Sequence, residues 1–327
     1  MPVGPTHAII AITDRCNARC VMCDIWQKPA GIELRPGDYS RLPSSLKEIN
    51  VTGGEPLLRS DLAEVIGAMQ RQCPGVRIVL STNGLLPKRL EKLLETVRGI
   101  AVRISLDGMD GLHDTIRGIE GAFDRVLESI EVARRAGITD LGLSATMTRQ
   151  NAGTVADVQA FAREQGLEFT VTVAHSSSFF FGDQTSEEPD SGRAISDMKT
   201  MRGRLYESTH PKEWFRAYYV SGLIDVLHGS PRPVRCHAGR DFFYVDPEGN
   251  VYPCHILERK MGNIRDRSFE QMLADDPSVL KAVAGCGQRC WMTCTVAPEM
   301  RRKLPEYAIR VGWAKLRHHV GKALGKK

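Results

Sequence analysis

Three cysteines, Cys16, Cys20 and Cys23, follow one another in the pattern CxxxCxxC. A thiolate is a soft ligand, and three of them on one tight loop can hold three corners of an iron–sulfur cube. The fourth iron then has no protein ligand and stays open to a small molecule. A structural zinc site wants four protein ligands, usually as two close pairs, and this loop offers three. Five further cysteines gather late in the chain, at Cys236, Cys254, Cys286, Cys290 and Cys294, and Cys73 stands alone. Nine thiols, odd in number and clustered, suit metal binding in a reducing compartment better than a disulfide frame.

The elements that must hold the first loop are legible as alternation. Residues 7–12 form a short apolar run, a buried strand leading into the loop. Further strands are predicted over 46–51, 76–82, 100–106, 141–147 and 169–173. Between them come a helix capped by Ser60-Asp61 and running to residue 70, then helices over 87–97, 123–136 and 155–164. Strand and helix alternate about six times, which implies a parallel sheet with right-handed crossovers and ligands at the carboxyl ends of its strands. The alternation stops near residue 175, which argues for a parallel α/β sheet rather than a complete eight-stranded barrel. Residues 183–192 read as an exposed polar loop and 195–227 as helix, broken at Pro211.

Composition sets outer bounds. The chain has 327 residues, 42% hydrophobic and 25% charged, enough for one large α/β domain with a small appendage and an ordinary packed core. A net charge of +5 is too weak to argue for a nucleic-acid partner. No signal peptide is visible, nor an apolar span of the roughly twenty residues that cross a bilayer, so the chain reads as cytoplasmic.

Thr52-Gly53-Gly54-Glu55-Pro56 closes the second predicted strand. Two glycines permit close backbone approach to a ligand, and a carboxylate there can accept hydrogen bonds from an ammonium group. Together with CxxxCxxC this resembles the radical S-adenosylmethionine (SAM) superfamily, whose signature follows the first strand of a partial (β/α)6 barrel. The resemblance implies a [4Fe–4S] cluster on Cys16, Cys20 and Cys23, with SAM chelated at its open iron. It implies that Gly53, Gly54 and Glu55 hold the SAM amino group, and that Ser81 and Asn83, in Ser81-Thr82-Asn83-Gly84, reach the ribose side. Ser105-Leu106-Asp107-Gly108 with His113-Asp114-Thr115-Ile116-Arg117-Gly118 resembles the SxDG…HDxxRG pattern of the SPASM-containing branch. There Ser105 and Arg117 would contact SAM, the guanidinium facing its carboxylate. Met22 stands where many relatives carry an aromatic residue, and its thioether can still pack on adenine.

In the late cysteine group, residues 242–252 read as a hairpin around Asp246-Pro247-Glu248-Gly249, which brings Cys236 and Cys254 to one side. A helix is predicted over 268–274. The group resembles the shortened, twitch form of a SPASM domain, implying one auxiliary [4Fe–4S] cluster on four of Cys236, Cys254, Cys286, Cys290 and Cys294. A CxxxCxxxC run departs from the family spacing, which leaves the spare cysteine unassigned; a zinc ribbon is the competing reading. The expected organisation is a barrel over 1–175, a linking helical region over 176–230, the auxiliary-cluster domain over 231–300 and a basic amphipathic helix over 301–327. On that last helix, Ile309, Trp313, Leu316, Val320 and Leu324 make an apolar stripe, expected to dock on the protein's own surface rather than on a membrane. Phe179 to Phe181 are expected to be core or a domain contact, and Cys73 an inert buried thiol.

The implied function is reductive cleavage of SAM followed by hydrogen abstraction by the 5'-deoxyadenosyl radical. An electron donor of flavodoxin or ferredoxin type is implied as partner. The first cysteine at residue 16 leaves no room upstream for a peptide-recognition domain, and the CxxxCxMC form resembles enzymes acting on aminocyclitols, aminosugars and sugar nucleosides. The expected substrate is therefore a small polar metabolite attacked at a sugar-like carbon, by dehydrogenation, epimerisation, dehydration or decarboxylation. A peptide-modifying enzyme is the alternative, and a non-catalytic iron–sulfur protein the remote one. His175, at the end of the last predicted barrel strand, is the candidate for a substrate contact.

Overall fold

A computed structural model describes residues 4–177, 182, 187–232, 234–287 and 290–324. Phe179 to Phe181 lie outside the described residues. Six strands run parallel in chain order: β1 (His7–Ala11), β2 (Glu48–Thr52), β3 (Arg77–Thr82), β4 (Ile100–Ser105), β5 (Leu141–Met147) and β6 (Glu168–Val173). The connecting helices are α1 (Leu62–Gln72), α2 (Pro87–Thr96), α3 (Gly111–Arg117), α4 (Ala122–Arg135) and α5 (Val155–Glu164). Each long one buries an apolar stripe at helical spacing, as with Leu62, Val65, Ile66 and Met69 on α1 and Leu90, Leu93 and Leu94 on α2. These meet Ile10, Ile49, Val51, Ile78, Leu80, Val102 and Ile104 from the sheet in one core. Each such aliphatic side chain, fully buried, contributes about 1.5–3 kcal/mol of transfer free energy.

The late hairpin does not form a separate sheet. Strand β7 (Phe242–Val245) lies parallel to β1, with Ile10 opposite Val245, and β8 (Asn250–Tyr252) and β9 (Gly262–Asn263) follow antiparallel. The order β6-β5-β4-β3-β2-β1-β7-β8-β9 is linear, so the sheet stays open. Val245 and Phe243 carry no polar atoms in their side chains and are fully buried, which makes β7 fit an interior position. Cys73 is buried beside the Pro43 carbonyl, in keeping with an inert thiol.

After β6, helices α6 (Ser191–Glu207) and α7 (Pro211–Leu227) pair, with Pro211 opening the second. Trp291 binds this pair to the late cysteine segment: its indole N–H donates to the Tyr219 carbonyl at 2.7 Å, and its ring stacks on Tyr219. Gly222 makes that possible, because a Cβ there would enter the indole ring. Short helices α8 (Phe269–Asp275), α9 (Ser278–Ala284) and α10 (Thr293–Arg302) follow; α8 packs Phe269 and Met272 into the sheet core, while Val283 of α9 and Thr295 of α10 lie beside the late cysteines.

Two local expectations are corrected. Asp61 precedes α1, but its carboxylate is taken by Arg59 at 2.7 Å and caps no helix N–H. In α11 (Leu304–Ala323) the apolar stripe does not dock: Ile309, Trp313, Leu316, Val320 and Leu324 are 48–67% exposed. The opposite edge packs inward through Tyr307 and Val311, with Lys315 3.7 Å over the Trp214 ring and His318 beside Tyr206. Aromatic and cation–π partners on α6 and α7 orient the helix, not its most apolar face. Among the described residues no helix is long and apolar enough to cross a membrane.

Candidate active site and cysteine clusters

The CxxxCxxC loop leaves β1 at the carboxyl end of the parallel strands and is clamped from two sides. On one side the chain after β2 runs beside it: Gly54 N–H donates to Thr13 O at 2.7 Å and Glu55 N–H to Arg15 O at 2.8 Å. Side chains are excluded here, since a Cβ on Gly53 or Gly54 would collide with the Thr13 or Arg15 carbonyl; Gly53 also has φ +145°. On the other side Arg19 N–H donates to Arg117 O at 2.9 Å and Val21 N–H to Ile116 O at 3.0 Å. Gly118 ends α3 in the left-handed region, φ +63°, and a Cβ there would stand 2.6 Å from the Arg19 carbonyl oxygen. Both glycine motifs thus shape the loop through backbone contact.

The side chains of the motifs form a second layer. Glu55 is fully buried and accepts three hydrogen bonds, from Leu57 N–H, Thr82 Oγ1 and Asn83 N–H. Burial nonetheless raises its carboxyl pKa, with those three donors working against it. Asn83 donates to Asn17 Oδ1 at 2.8 Å, inside the cysteine loop, and Ser81 donates to Asn50 Oδ1. Arg117 lies 2.6 Å from the Asp107 carboxylate and 3.6 Å from Cys20 Sγ, and its buried Nε has no hydrogen-bond partner. Asp107 accepts from Thr146 N–H, and its own N–H donates to His113 Nδ1. Ser105 pairs with Ser144 at the end of β4, and Met22 packs with Ile116 and Ala174.

The donor set fits an iron–sulfur cluster. Burial pushes the Cys16 thiol up to about 11 and Cys23 up to about 12, and raises Cys20 against the pull of Arg117. Such thiols keep their protons at neutral pH unless a metal takes their place. Cys16 and Cys23 pack against Ala11, Ile25 and Tyr244, which gives the loop an apolar flank. Among the described residues no three His, Cys, Asp or Glu side chains converge as a single-ion site; the cysteines of a cube sit on separate iron corners.

All five late cysteines line one cavity, with Cys294 in the first turn of α10. Cys254 Sγ accepts from Ile256 and Leu257 N–H, and Cys290 Sγ from Arg232 Nη1 at 3.6 Å. Burial raises Cys254 to about 11, raises Cys236 and Cys290, and lifts Cys294 well above the usual thiol range. Arg232 is a neighbour that no sequence motif marked. His175 binds the Val173 carbonyl at 3.0 Å, and its ring centre lies 6.0 Å from that of His255, next to Cys254. Burial lowers the pKa of His175 and pushes His255 down to about 3, so both are neutral imidazoles near pH 7.

Comparison with known proteins adds the following. Residues 10–162 match the family described as the radical SAM superfamily, and residues 236–294 match an iron–sulfur cluster-binding domain, SPASM. The chain is similar to an AdoMet-dependent heme synthase of Methanosarcina barkeri, 28% identical over 84% of this chain and 86% of the relative. A probable GTP 3',8-cyclase of Sulfurisphaera tokodaii is 27% identical over 79% and 83%. Among solved structures, native anSMEcpe with bound AdoMet and Cp18Cys peptide superposes with a TM-score of 0.62, at 19% identity over 82% of this chain and 80% of that one.

Proposed function

We propose that this chain, which belongs to the radical SAM superfamily and carries a SPASM iron–sulfur domain, abstracts hydrogen from a sugar-like carbon of a small polar metabolite. It is an enzyme that uses SAM and [4Fe–4S] chemistry, and the substrate class is our reading. The carrying observation is the placement of Cys16, Cys20 and Cys23 at the carboxyl ends of the parallel strands, on a loop clamped by residues 53–55 and 116–118. A cluster and SAM held there would supply hydrogen-abstraction chemistry, with the electron for SAM cleavage coming from an external donor of flavodoxin or ferredoxin type.

The chain's own residues then divide the work. Cys16, Cys20 and Cys23 would hold three irons of a cluster, Gly53 and Gly54 let the chain after β2 close against the carbonyls of the cysteine loop, and Arg117 offers positive charge at Cys20. Met22, Ser81, Asn83 and Ser105 stand around the same strand ends and would contact SAM. Four of the five late cysteines would hold an auxiliary cluster in the cavity they share. His175 follows β6, and its ring lies 6.0 Å from that of His255, which lines that cavity; this proximity supports reading His175 as a substrate contact. The barrel we assign to residues 1–175 and the auxiliary cluster to 231–300.

A sugar-bearing substrate is favoured by the relative whose name makes GTP, a ribonucleotide, its substrate. The test is release of 5'-deoxyadenosine by anaerobically reconstituted protein with reductant, given small-metabolite and peptide fractions separately. Stimulation by the small-metabolite fraction supports the proposal. Stimulation only by peptides would replace it with a peptide-modifying reading, and no release with intact clusters would overturn the assignment of SAM cleavage to this loop.

A further inference from the structure

We propose that a basic cavity beside the late cysteines binds a small polyanion carrying clustered phosphate or carboxylate groups. The cavity, about 380 Å³, is lined on its polar side by Arg232, Arg235, Arg240 and His237, with Leu280 and Val283 on an apolar wall. Some arginines of this chain are held by carboxylates: Arg77 by Glu48 and Asp140, and Arg103 by Asp140 and Glu168. The three that line this cavity are not. Among the described residues Arg235 and Arg240 are exposed and have no ion pair or side-chain hydrogen bond. Arg232 spends its Nε on the Val234 carbonyl and its Nη1 on Cys290 Sγ, and meets no carboxylate.

The nearby acids reach His237 and not the three arginines. Glu299 is shared by His237, Arg302 and Lys303, and Asp241 lies 3.9 Å from His237 Nδ1; among the described residues neither pairs with Arg232, Arg235 or Arg240. Three guanidiniums facing one concavity repel one another, and an anion relieves that repulsion. Guanidinium forks match phosphate and carboxylate oxygens two at a time. The concave shape and apolar wall fit a compact ligand rather than a macromolecular surface.

Arg232 lines both this cavity and the one that holds the five cysteines. A bound anion therefore draws on the same guanidinium that faces Cys290, which couples the ligand to the auxiliary site. This assignment does not depend on the substrate class proposed above.

Isothermal titration of the anaerobically reconstituted protein with inorganic pyrophosphate, and separately with citrate, at low ionic strength tests it. At least one anion is expected to bind, with affinity about a hundredfold weaker in the Arg235→Gln/Arg240→Gln double variant. The corresponding Arg→Lys pair should recover part of that loss. Preference for pyrophosphate identifies a phosphate-bearing ligand, and preference for citrate a carboxylate-bearing one. Iron content and melting temperature show whether the variants keep the fold, which exposed positions favour. No binding of either anion, or equal affinity in the double glutamine variant, overturns the proposal.

Discussion

The Arg117 guanidinium links the fully buried Asp107 carboxylate, at 2.6 Å, to the Cys20 sulfur, at 3.6 Å. One side chain thus ties the end of β4 to the cysteine loop. Replacing it by Met would strand a buried charge, which costs about 3–5 kcal/mol. Arg117→Met is expected to lower the melting temperature and the iron bound at the first site, with Arg117→Lys intermediate. Calorimetry and iron analysis check this; a wild-type melting temperature for Arg117→Met would show that the ion pair does not brace the loop.

Gly53→Ala and Gly54→Ala press a methyl group against the Thr13 or Arg15 carbonyl, so the cysteine loop must move away from β2. The loss is expected to exceed the roughly 1 kcal/mol of an ordinary glycine replacement. Iron at the first site and 5'-deoxyadenosine release should fall together, while the second group keeps its absorbance. Equal loss at both sites would point to general misfolding instead.

Alanine at Cys16, Cys20 or Cys23 should abolish SAM cleavage and leave iron at the late group. Scanned one at a time, four of Cys236, Cys254, Cys286, Cys290 and Cys294 should lose that iron and one should retain it. Iron and acid-labile sulfide per chain, with electronic absorption, are the measurements. Five equal losses would mean that the spare thiol is structurally required.

His113 is fully buried, and burial, aided by Arg117, pushes its pKa down to about 4 from 6.5. A depressed folded-state value means stability that is whole above the unfolded pKa and is lost as pH falls toward the folded one. The melting temperature should therefore decline between pH 6.5 and about 4. His113→Asn keeps an acceptor for Asp107 N–H but cannot be protonated, so its decline should be shallower. Parallel melting curves of the two proteins would contradict the assignment.

The two edges of α11 should respond differently. Trp313→Gln and Leu316→Gln, on the exposed stripe, are expected to shift stability by no more than about 0.5 kcal/mol. Val311→Ala removes buried methyl groups and should cost about 1–3 kcal/mol. Thermal unfolding of the three variants decides; a large loss at Trp313 would mean that the stripe is covered in solution.

Local pattern carried most of the architecture. Leu141–Met147 and Val155–Glu164 fall where alternation and helical spacing put them, because each element's period reflects one buried face. CxxxCxxC pointed to a cluster loop by thiolate spacing, whereas Gly53-Gly54-Glu55 took its meaning from the resemblance to the radical SAM pattern. Other features depended on which distant surfaces meet. Periodicity shows that a face is apolar and not what covers it, so it misassigned the α11 stripe and was silent on β7 joining β1. The Arg117–Cys20 contact spans 97 residues, and the Arg232–Cys290 contact 58. Long polar side chains reach whichever partner the packed backbone presents, and only the tertiary structure sets that choice.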